Sequence, residues 1–410
     1  MRTEGRRPIA TAAVTGGALL ALALPAHALS ATRYASPSGT GSSCSQAVPC
    51  GVTEAVNSAG PTDEVIVKAG TYNLGNTPLT VAGGMNVHGA AGEAMPQLNF
   101  GTPGFSAISV SGSGRIARLR VRVTGPLGGV LLNAGTLGEQ LDVRVTDLAA
   151  CAVQLATLRS SACTGSGANS EGVIASGDGP VILRNVTAVG GSYGLDAFAG
   201  NAGENLVVDA VNSVFSGGTA DIATFPSGGG ASADVDAASS NFATVDESGD
   251  SDVTAPGTGA NQTAEPGFVN ASAGDFHQLP GSPTRNAGTA DPSIGTFDFE
   301  GDPRLQGTAP DIGADEYDDT APETTIVSGP KKKTRKRKAT FRFRADDPGA
   351  SFECKLDGRA FSPCSSPAAF KKLRVGRHRL QVRAEDALGN LEATPAMRTW
   401  KVKKKKKRKK

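Results

Sequence analysis

The chain has 410 residues, of which 53 are Gly and only 5% are aromatic, and its net charge is +2. This length suits about two or three domains, and the recurring apolar segments exclude a chain that is disordered overall. The small net charge conceals 14 basic and 31 acidic residues before Pro322 (−17), against 27 and 8 from Pro322 onward (+19). A split of this size suggests that the two parts meet different partners.

Residues 1–28 have the pattern of a secretory signal peptide. Three arginines lie among the first seven residues, a mostly apolar run covers 9–24, and Ala-His-Ala at 26–28 fits the small-x-small cleavage pattern. The apolar run is shorter than the roughly 20 residues of a membrane span, which argues against the alternative of a membrane anchor. No later stretch is long and apolar enough to span a bilayer, so we expect a secreted chain with no transmembrane segment after cleavage.

The next segment is predicted to cover the first rung of a repeating fold. Residues 52–59 form an amphipathic helix with Val52, Ala55, Val56 and Ala59 on one face, and 64–72 form a strand that ends in a Gly turn. A solenoid needs such a cap because its open apolar end would otherwise be exposed.

One short phrase returns between Arg115 and Val245. Leu-Arg-Val-Arg-Val-Thr at 119–124 is echoed at 141–146 and 183–189, with looser copies at 208–215 and 235–242. The alternation of apolar and polar residues predicts short strands with one buried face, joined by turns rich in Gly, Ser, Asn and Asp. Because repeats spaced by roughly 20–40 residues indicate a solenoid, we predict an all-β parallel β-helix within 31–321.

The C-terminal part is predicted to be a separate small domain over 322–402, followed by a basic tail at 403–410. Four strand-like runs lie at 339–345, 351–357, 378–384 and 397–402, and each largely alternates apolar and polar residues. Short strands with turn residues between them are typical of a small β-sandwich.

The six cysteines fall into three local couples, Cys44/Cys50, Cys151/Cys163 and Cys354/Cys364. Pairing within each couple is the simplest of about 15 possible schemes, and an oxidising compartment would preserve the bonds. For Cys151 and Cys163 the alternative is a pair of buried free thiols in the solenoid core. None of the couples has CxxC spacing or a nearby His, so zinc is not expected.

The N-terminal segment resembles that of secreted right-handed β-helix proteins of the pectate-lyase-like superfamily. The residues that carry the resemblance are Ser38-Gly39, Cys44, Pro49-Cys50, Glu54-Ala55-Val56, Val65-Ile66-Val67 and Gly70-Thr71-Tyr72. The resemblance implies a right-handed solenoid and says little about activity.

The segment from 266 to 317 is similar to the closing segment of bacterial surface β-helix proteins of the choice-of-anchor Q type. Its phrases are Pro-Gly-Phe-Val-Asn from 266, Gly-Asp-Phe-His-Gln-Leu from 274, Asp-Phe-Glu-Gly from 298 and Asp-Ile-Gly-Ala-Asp-Glu-Tyr from 311, although Asn286 replaces a common Asp. In that family this segment finishes the solenoid and a variable anchoring device follows.

The phrases at 352–358, 363–367 and 382–390 resemble a bacterial Ig-like domain that often trails secreted proteins. The resemblance implies a small Ig-like β-sandwich with a Cys354–Cys364 bond across one hairpin. Such domains usually act as spacers or adhesion modules.

The rungs offer only weak candidates for catalysis. A lyase on this fold needs acidic residues for calcium and a basic residue to take a proton, whereas a hydrolase needs two separated carboxylates. The candidates are Asp142, Arg144, Arg184 and Asp209, and stacking would place Asp142, Asp209 and Asp236 in one column. The alternative is that these polar residues cap turns and face water. An arginine base is difficult because an unperturbed arginine stays protonated.

An acidic group in the closing segment gives the candidates for a structural calcium site, Asp298, Asp302 and Asp311. The alternative is a solvated acidic surface or an ion pair with Arg304. No other cofactor is indicated, and the histidines are too dispersed in the sequence for a histidine metal site.

Two basic runs mark the C-terminal part. Such runs repel themselves and need either an acidic partner or solvent. For an exported chain the partner would be an anionic polymer of the cell envelope rather than nucleic acid, and the alternative is a tail that only increases solubility. The candidate polyanion-binding residues are Lys331, Lys332, Lys333, Arg335, Lys336, Arg337, Lys338, Lys403, Lys404 and Lys405.

Together these features favour an exported, cell-surface, non-catalytic β-helix protein. Its solenoid face would recognise a polysaccharide or a surface protein, and its basic region would contact an anionic envelope. The alternative is a polysaccharide lyase or glycoside hydrolase that acts in the β-helix groove.

Overall fold

The computed structural model describes residues 30–102, 104–318, 320–347, 349–386 and 389–404. The predicted signal peptide and residues 405–410 of the basic tail, among them Lys405, lie outside these residues. Within the described ranges, no helix has both the length and the apolar character that crossing a bilayer would require.

The described chain up to residue 246 is built almost entirely of short parallel strands, with one α-helix, α1 (Val52–Asn57), near its N-terminal end. The strands, in chain order, are β1 (Thr32–Ala35), β2 (Glu64–Val67), β3 (Thr71–Gly75), β4 (Leu79–Val81), β5 (Asn86–Gly89), β6 (Gln97–Phe100), β7 (Ser106–Val110), β8 (Arg115–Val123), β9 (Gly128–Leu132), β10 (Leu137–Val145), β11 (Ala149–Gln154), β12 (Thr157–Gly165), β13 (Glu171–Ser176), β14 (Gly179–Gly190), β15 (Tyr193–Ala199), β16 (Asn205–Val211), β17 (Val214–Gly217), β18 (Ala220–Pro226), β19 (Ser232–Ala238) and β20 (Val245–Asp246).

These strands form a right-handed parallel β-helix, as predicted. A 12-stranded sheet runs in the order β1-β2-β5-β8-β10-β12-β14-β16-β19, with β3, β6 and β17 pairing beside this path. An eight-stranded sheet, β20-β18-β15-β13-β11-β9-β7-β4, closes the other side. The long strands of the first sheet bend in the middle, because β5 pairs with the first part of β8 and β6 with its last part.

Each bend is made by a residue with positive φ, and these residues stack into one column. The strand registers align Arg118, Gln140, Ser160, Asn185, Asn212 and Ser239, whose φ angles lie between 47° and 55°. Non-Gly residues in this left-handed region are uncommon, and Asn is among those that tolerate it best. We call this set the bend column.

The core is made of inward-facing residues that also stack in columns. One column runs Val65, Val87, Ile116, Gly138, Leu158, Leu183, Ala210 and Ala237, and all except Gly138 belong to the buried core cluster. Cys163 on β12 and Cys151 on β11 lie in two further columns and are joined by a disulfide, with their Cα atoms 5.9 Å apart. The core therefore contains a cross-link between its two sheets rather than two free thiols.

The N-terminal end is closed by α1, whose Val52, Ala55 and Val56 are buried, as the amphipathic pattern predicts. The Cys44–Cys50 disulfide closes the loop before it, with a Cα–Cα distance of 4.7 Å. Cys44 and Cys50 are both fully buried and belong to the same core cluster.

Residues 267–317, which we call the strap, run along the bend column. They contain β21 (Phe268–Asn270), β22 (Asp275–Gln278) and two 3-10 turns at Ala271–Ala273 and Pro292–Ile294. The amides of Gln140 and Asn185 donate to the carbonyls of Asp298 (2.8 Å) and Asp311 (3.0 Å), and the Ser160 hydroxyl donates to the carbonyl of Phe297 (2.8 Å). The closing segment therefore covers one side of the solenoid along several rungs.

The C-terminal part is a small β-sandwich of two sheets around a shared core. Its strands are β23 (Thr324–Ser328), β24 (Lys333–Thr334), β25 (Ala339–Ala345), β26 (Ser351–Leu356), β27 (Ser362–Pro363), β28 (Ala368–Phe370), β29 (Gly376–Glu385) and β30 (Ala396–Val402). The sheets have the orders β23-β25-β28 and β24-β30-β29-β26-β27. Cys354 and Cys364 are disulfide-bonded at the β26–β27 hairpin, as the sequence resemblance implied.

Candidate functional site

Asp142, the first candidate for catalysis, is enclosed by arginines. It is 2% exposed. Its Oδ2 lies 2.5 Å from Arg122 Nη2 and 3.6 Å from Arg120 Nε, and its Oδ1 lies 3.1 Å from Arg144 Nε. Arg144 also donates to the carbonyl of Gly274 in the strap (2.8 Å). Asp142 and Arg144 therefore link neighbouring rungs to the strap. Both carboxylate oxygens of Asp142 already form ion pairs with arginines.

Arg184 and Asp209 form a second, separate ion pair. Arg184 is 7% exposed, its Nη2 lies 2.6 Å from Asp209 Oδ2, and its Nε donates to the Ser293 hydroxyl at 2.8 Å. Asp209 stands beside Asp236, as expected for a column. The inclusion of Asp142 in that column was wrong, because Asp142 is in register with Ala162 and lies beyond the bend.

The repeated phrase caused this error because it occurs on both sides of the bend. Leu119 and Leu141 are in register after the bend, whereas Leu183 aligns with Leu158 before it. Strands before and after the bend both alternate apolar and polar residues. The pattern alone therefore does not fix the position of a phrase within its rung.

The acidic residues of the strap bind backbone amides. Asp298 Oδ1 accepts hydrogen bonds from the N–H groups of Glu300, Gly301 and Asp302 at 2.8–3.0 Å, and its Oδ2 accepts one from Glu316. Asp311 accepts from the amides of Asn286 and Tyr317. Among the described residues, no group of three or more His, Cys, Asp or Glu side chains is arranged to hold a metal ion, so the structure does not bring Asp298, Asp302 and Asp311 together as ligands.

Arg304 lies at the centre of this acidic group and is 2% exposed. It donates to the carbonyl of Ala314 (2.8 Å), and its Nη1 lies 3.8 Å from Glu316 Oε2. Burial, reinforced by the charge of Asp311, raises the pKa of Glu316 to about 8. The group is therefore the polar interior of the strap, and its Asp-x-x-Gly step is a backbone clamp.

An open groove of about 640 Å³ lies where four strands of the eight-stranded sheet end and the turns after them begin. Gln154, Ser176 and Phe198 stand side by side because they are in register on neighbouring strands. Asn133 extends this row, since it follows Leu132, which is in register with Val153. We call this the outer groove; its lining residues are Asn133, Ala134, Gln154, Leu155, Ser176, Gly177, Phe198, Gly200, Asn201 and Glu204.

Phe198 is the exposed aromatic residue of the outer groove, with 42% of its surface accessible. The absence of a side chain at Gly200 leaves room for the ring, since a Cβ there would lie 2.6 Å from a Phe198 ring carbon. At the groove edge, the Asn201 amide donates to Glu204 at 3.1 Å. The groove thus offers one apolar ring beside amide, hydroxyl and carboxylate groups.

Two carboxylates of the eight-stranded sheet lie outside the lining of the outer groove. Asp196 on β15 and Glu171 on β13 each have a buried oxygen without a hydrogen-bond partner in the described residues. Burial, followed by the charge of Glu171, raises the pKa of Asp196 to about 7, and burial also raises the pKa of Glu171. Tyr193 is the first residue of β15 and Phe225 is the last but one of the neighbouring β18, and their ring centroids are 5.4 Å apart. The sequence marks Asp196 as one of several acidic residues on the rungs, but it does not connect Asp196 with Glu171, because the two lie on different rungs and share no motif.

The predicted basic residues of the C-terminal part are exposed, from Lys331 to Lys338 and at Lys403 and Lys404. Two of them, Lys332 and Lys333, line an open groove of about 570 Å³ in the sandwich. We call this the basic groove; its other lining residues are Asp357, Arg377, His378, Arg379, Thr399, Trp400 and Lys401. The structure thus joins part of the basic run to cations of β29 and β30.

No protein-family model matches the chain, and no curated protein matches its sequence. Among solved structures, a crystal structure of pectate lyase Pel9A is similar, with 15% sequence identity and a TM-score of 0.41. The similarity covers 70% of this chain and 96% of that one. A likeness of this size provides no residue correspondence and no activity.

Proposed function

We propose that this chain is an exported cell-surface protein that binds carbohydrate in the outer groove without chemically changing it. The observation that carries the proposal is the exposed ring of Phe198 among Asn133, Gln154, Ser176 and Glu204. A sugar ring has an apolar C–H face that packs on an aromatic ring and hydroxyl groups that bond to amides and carboxylates. Binding sites generally combine an apolar surface with a few polar groups that fix orientation.

Export is supported by the three disulfides, since such bonds persist in oxidising compartments. The choice-of-anchor Q resemblance is supported by the strap, because the carbonyls of Asp298 and Asp311 in its Asp-x-x-Gly and Asp-Ile-Gly phrases accept hydrogen bonds from Gln140 and Asn185 of the solenoid. In this proposal the sandwich is an Ig-like spacer, and its basic residues contact an anionic polymer of the envelope.

The test of carbohydrate binding is affinity electrophoresis of the full-length chain in gels containing neutral or acidic polysaccharides, among them xylan, β-glucan and polygalacturonate. We expect at least one polysaccharide to retard the wild type and Phe198→Ala to weaken that binding at least tenfold. Phe105→Ala is the matched control, since Phe105 is 78% exposed, directly precedes β7 of the same sheet, and does not line the groove. No retardation by any polymer, or equal losses in both variants, would refute the proposal.

The second candidate function is glycoside hydrolysis, and the pair of Asp196 and Glu171 favours it. Burial raises the pKa of Asp196 to about 7, so its carboxyl group would be protonated near neutral pH as a general acid requires, and Glu171, whose charge raises that pKa further, would be the second carboxylate. Release of reducing ends from the same polysaccharides between pH 5 and 8 tests it. Turnover abolished by Asp196→Asn or Glu171→Gln, but retained by Glu247→Gln at an exposed site, would replace the binding proposal.

A further inference from the structure

Three cations stand in one row across the five-stranded sheet of the sandwich. Lys333 is in register with Lys401, and Lys401 with Arg377 on the next strand. All three are exposed, and neighbouring strands are about 4.8 Å apart. Like charges directly opposite each other destabilise a sheet, so this row weakens the domain that carries it.

The other end of the same sheet is built differently. There Arg383 on β29 is in register with Glu353 on β26, and the two form an ion pair at 2.7 Å. Within the described part of the chain, none of Lys333, Arg377 and Lys401 forms an ion pair. At one end of the sheet, therefore, a cation is paired with an acid on the next strand. At the other end, three neighbouring cations have no acidic partner among the described residues.

The acid that lines the basic groove does not neutralise the row. Asp357 accepts hydrogen bonds from the backbone N–H of Arg379 (2.9 Å) and from His378 Nδ1 (3.0 Å). His378 is also held by the Arg374 carbonyl at 2.8 Å and packs on Trp400, with ring centroids 5.3 Å apart. These contacts fix the buried His378 and Trp400 as the floor of the groove, engage the half-exposed Asp357, and leave the three cations facing solvent.

We propose that the basic groove binds a linear polymer that carries closely spaced sulfate or phosphate groups. The row from Lys333 to Arg377 crosses two strand spacings, roughly 10 Å, and Lys332 and Arg379 lie beside it. A single small anion would neutralise one or two of these charges, whereas a chain of oxyanions neutralises the whole row and releases its counterions. Arg377 adds a planar fork that suits sulfate and phosphate oxygens. This inference rests on the proposed contact with an anionic envelope polymer and assigns it a site.

Binding of the full-length chain to dextran sulfate and to long-chain polyphosphate, measured by titration calorimetry at about 50 and 200 mM salt, tests the assignment. We expect the double variant Arg377→Gln/Lys401→Gln to bind roughly tenfold or more weakly and to show a shallower salt dependence, by about one in the log–log slope for each lost contact. Arg342→Gln/Arg344→Gln is the control, because it removes the same charge from exposed positions on the other sheet. The charge-conserving variant Arg377→Lys/Lys401→Arg should keep most of the affinity.

The outcomes separate this inference from the proposal on which it rests. If the wild type binds neither polymer, both the groove assignment and the envelope contact are refuted. If the wild type binds but the two charge-removing variants weaken binding equally, the envelope contact stands and the groove assignment fails. Tighter, groove-dependent binding to phosphatidylglycerol vesicles or to duplex DNA would overturn the choice of a linear polymer.

Discussion

Asn212 and Thr289 form two hydrogen bonds to each other. The Asn212 amide donates to the carbonyl of Thr289, and the N–H of Thr289 donates to Asn212 Oδ1, both at 2.8 Å. The side chain of Asn212 thus takes the place of a strand partner for the strap. Asn212 belongs to the bend column, where its positive φ points the side chain away from the core and towards the strap.

Replacing Asn212 with Ala should therefore destabilise the β-helix. The change leaves two backbone groups of Thr289 without partners and places Ala in a left-handed conformation, for a combined loss of about 2–4 kcal/mol. The measurement is the free energy of unfolding from urea titration followed by far-UV circular dichroism. Asn205→Ala, at the exposed first residue of β16, is the control and should change stability by less than about 0.5 kcal/mol.

The disulfides should differ in their resistance to reduction. Cys151 and Cys163 are fully buried in the solenoid core, whereas Cys364 is only half-buried in the sandwich. A thiolate must reach a sulfur atom to reduce it, so Cys354–Cys364 should open first in dithiothreitol without denaturant. Alkylation followed by peptide mass spectrometry gives the order, and early labelling of Cys151 would contradict the expectation.

Removal of the core cross-link should also cost stability. The Cys151–Cys163 bond joins residues 12 apart in the chain and links the two sheets. The double variant Cys151→Ala/Cys163→Ala should lower the free energy of unfolding by about 3 kcal/mol through lost loop closure, and by more through lost packing. Urea titration measures this loss, and an unchanged midpoint would show that packing alone sets the stability of these rungs.

His277 should make stability depend on pH above neutrality. Its hydrogen bond to Glu300 (3.0 Å), assisted by Asp275, raises the pKa of His277 to about 10. Because the folded-state pKa lies above the unfolded value near 6.5, the stabilisation is complete below pH 6.5 and is lost as pH rises through 10. The ring is 48% exposed, so solvent screening keeps the effect modest. A titration of the ring by NMR should give a strongly raised pKa that falls in Glu300→Gln, and a midpoint near 6.5 would contradict the contact.

The sequence predicted the parallel β-helix, its cap, the sandwich and the cysteine pairs because each leaves a local pattern. Alternating apolar and polar residues mark the strands. Cys354 and Cys364 lie close together in the sequence because a single hairpin separates them. The bend column leaves almost no such mark, since Arg118, Gln140 and Ser160 are ordinary choices for a loop or an exposed face. Its geometry arises from rungs stacked on each other and from the strap laid against them.

The candidate site was less predictable for the same reason. Asp142 and Arg184 stood out as charged residues on the rungs, yet both take part in ion pairs beside the strap. Phe198 is unremarkable in the sequence and becomes part of the outer groove only when parallel rungs align it with Ser176. A solenoid assembles its surface from residues more than 20 positions apart, so local spacing does not reveal it.

Asp196 should make the protein less stable as pH rises from about 4 to 7. Its folded-state pKa of about 7 lies above the ordinary 3.8, since burial disfavours the charged carboxylate. Folding therefore favours the protonated acid, and the cost of ionisation grows through this window until it is complete above pH 7. Asp196→Asn removes that cost, so the variant should match the wild type near pH 4 and exceed its stability by roughly 1–3 kcal/mol at pH 8. Urea titrations at the two pH values measure the difference. Asp178→Asn, at an exposed residue between β13 and β14, is the control. An Asp196→Asn variant no more stable than wild type at pH 8 would show that water reaches the carboxylate freely.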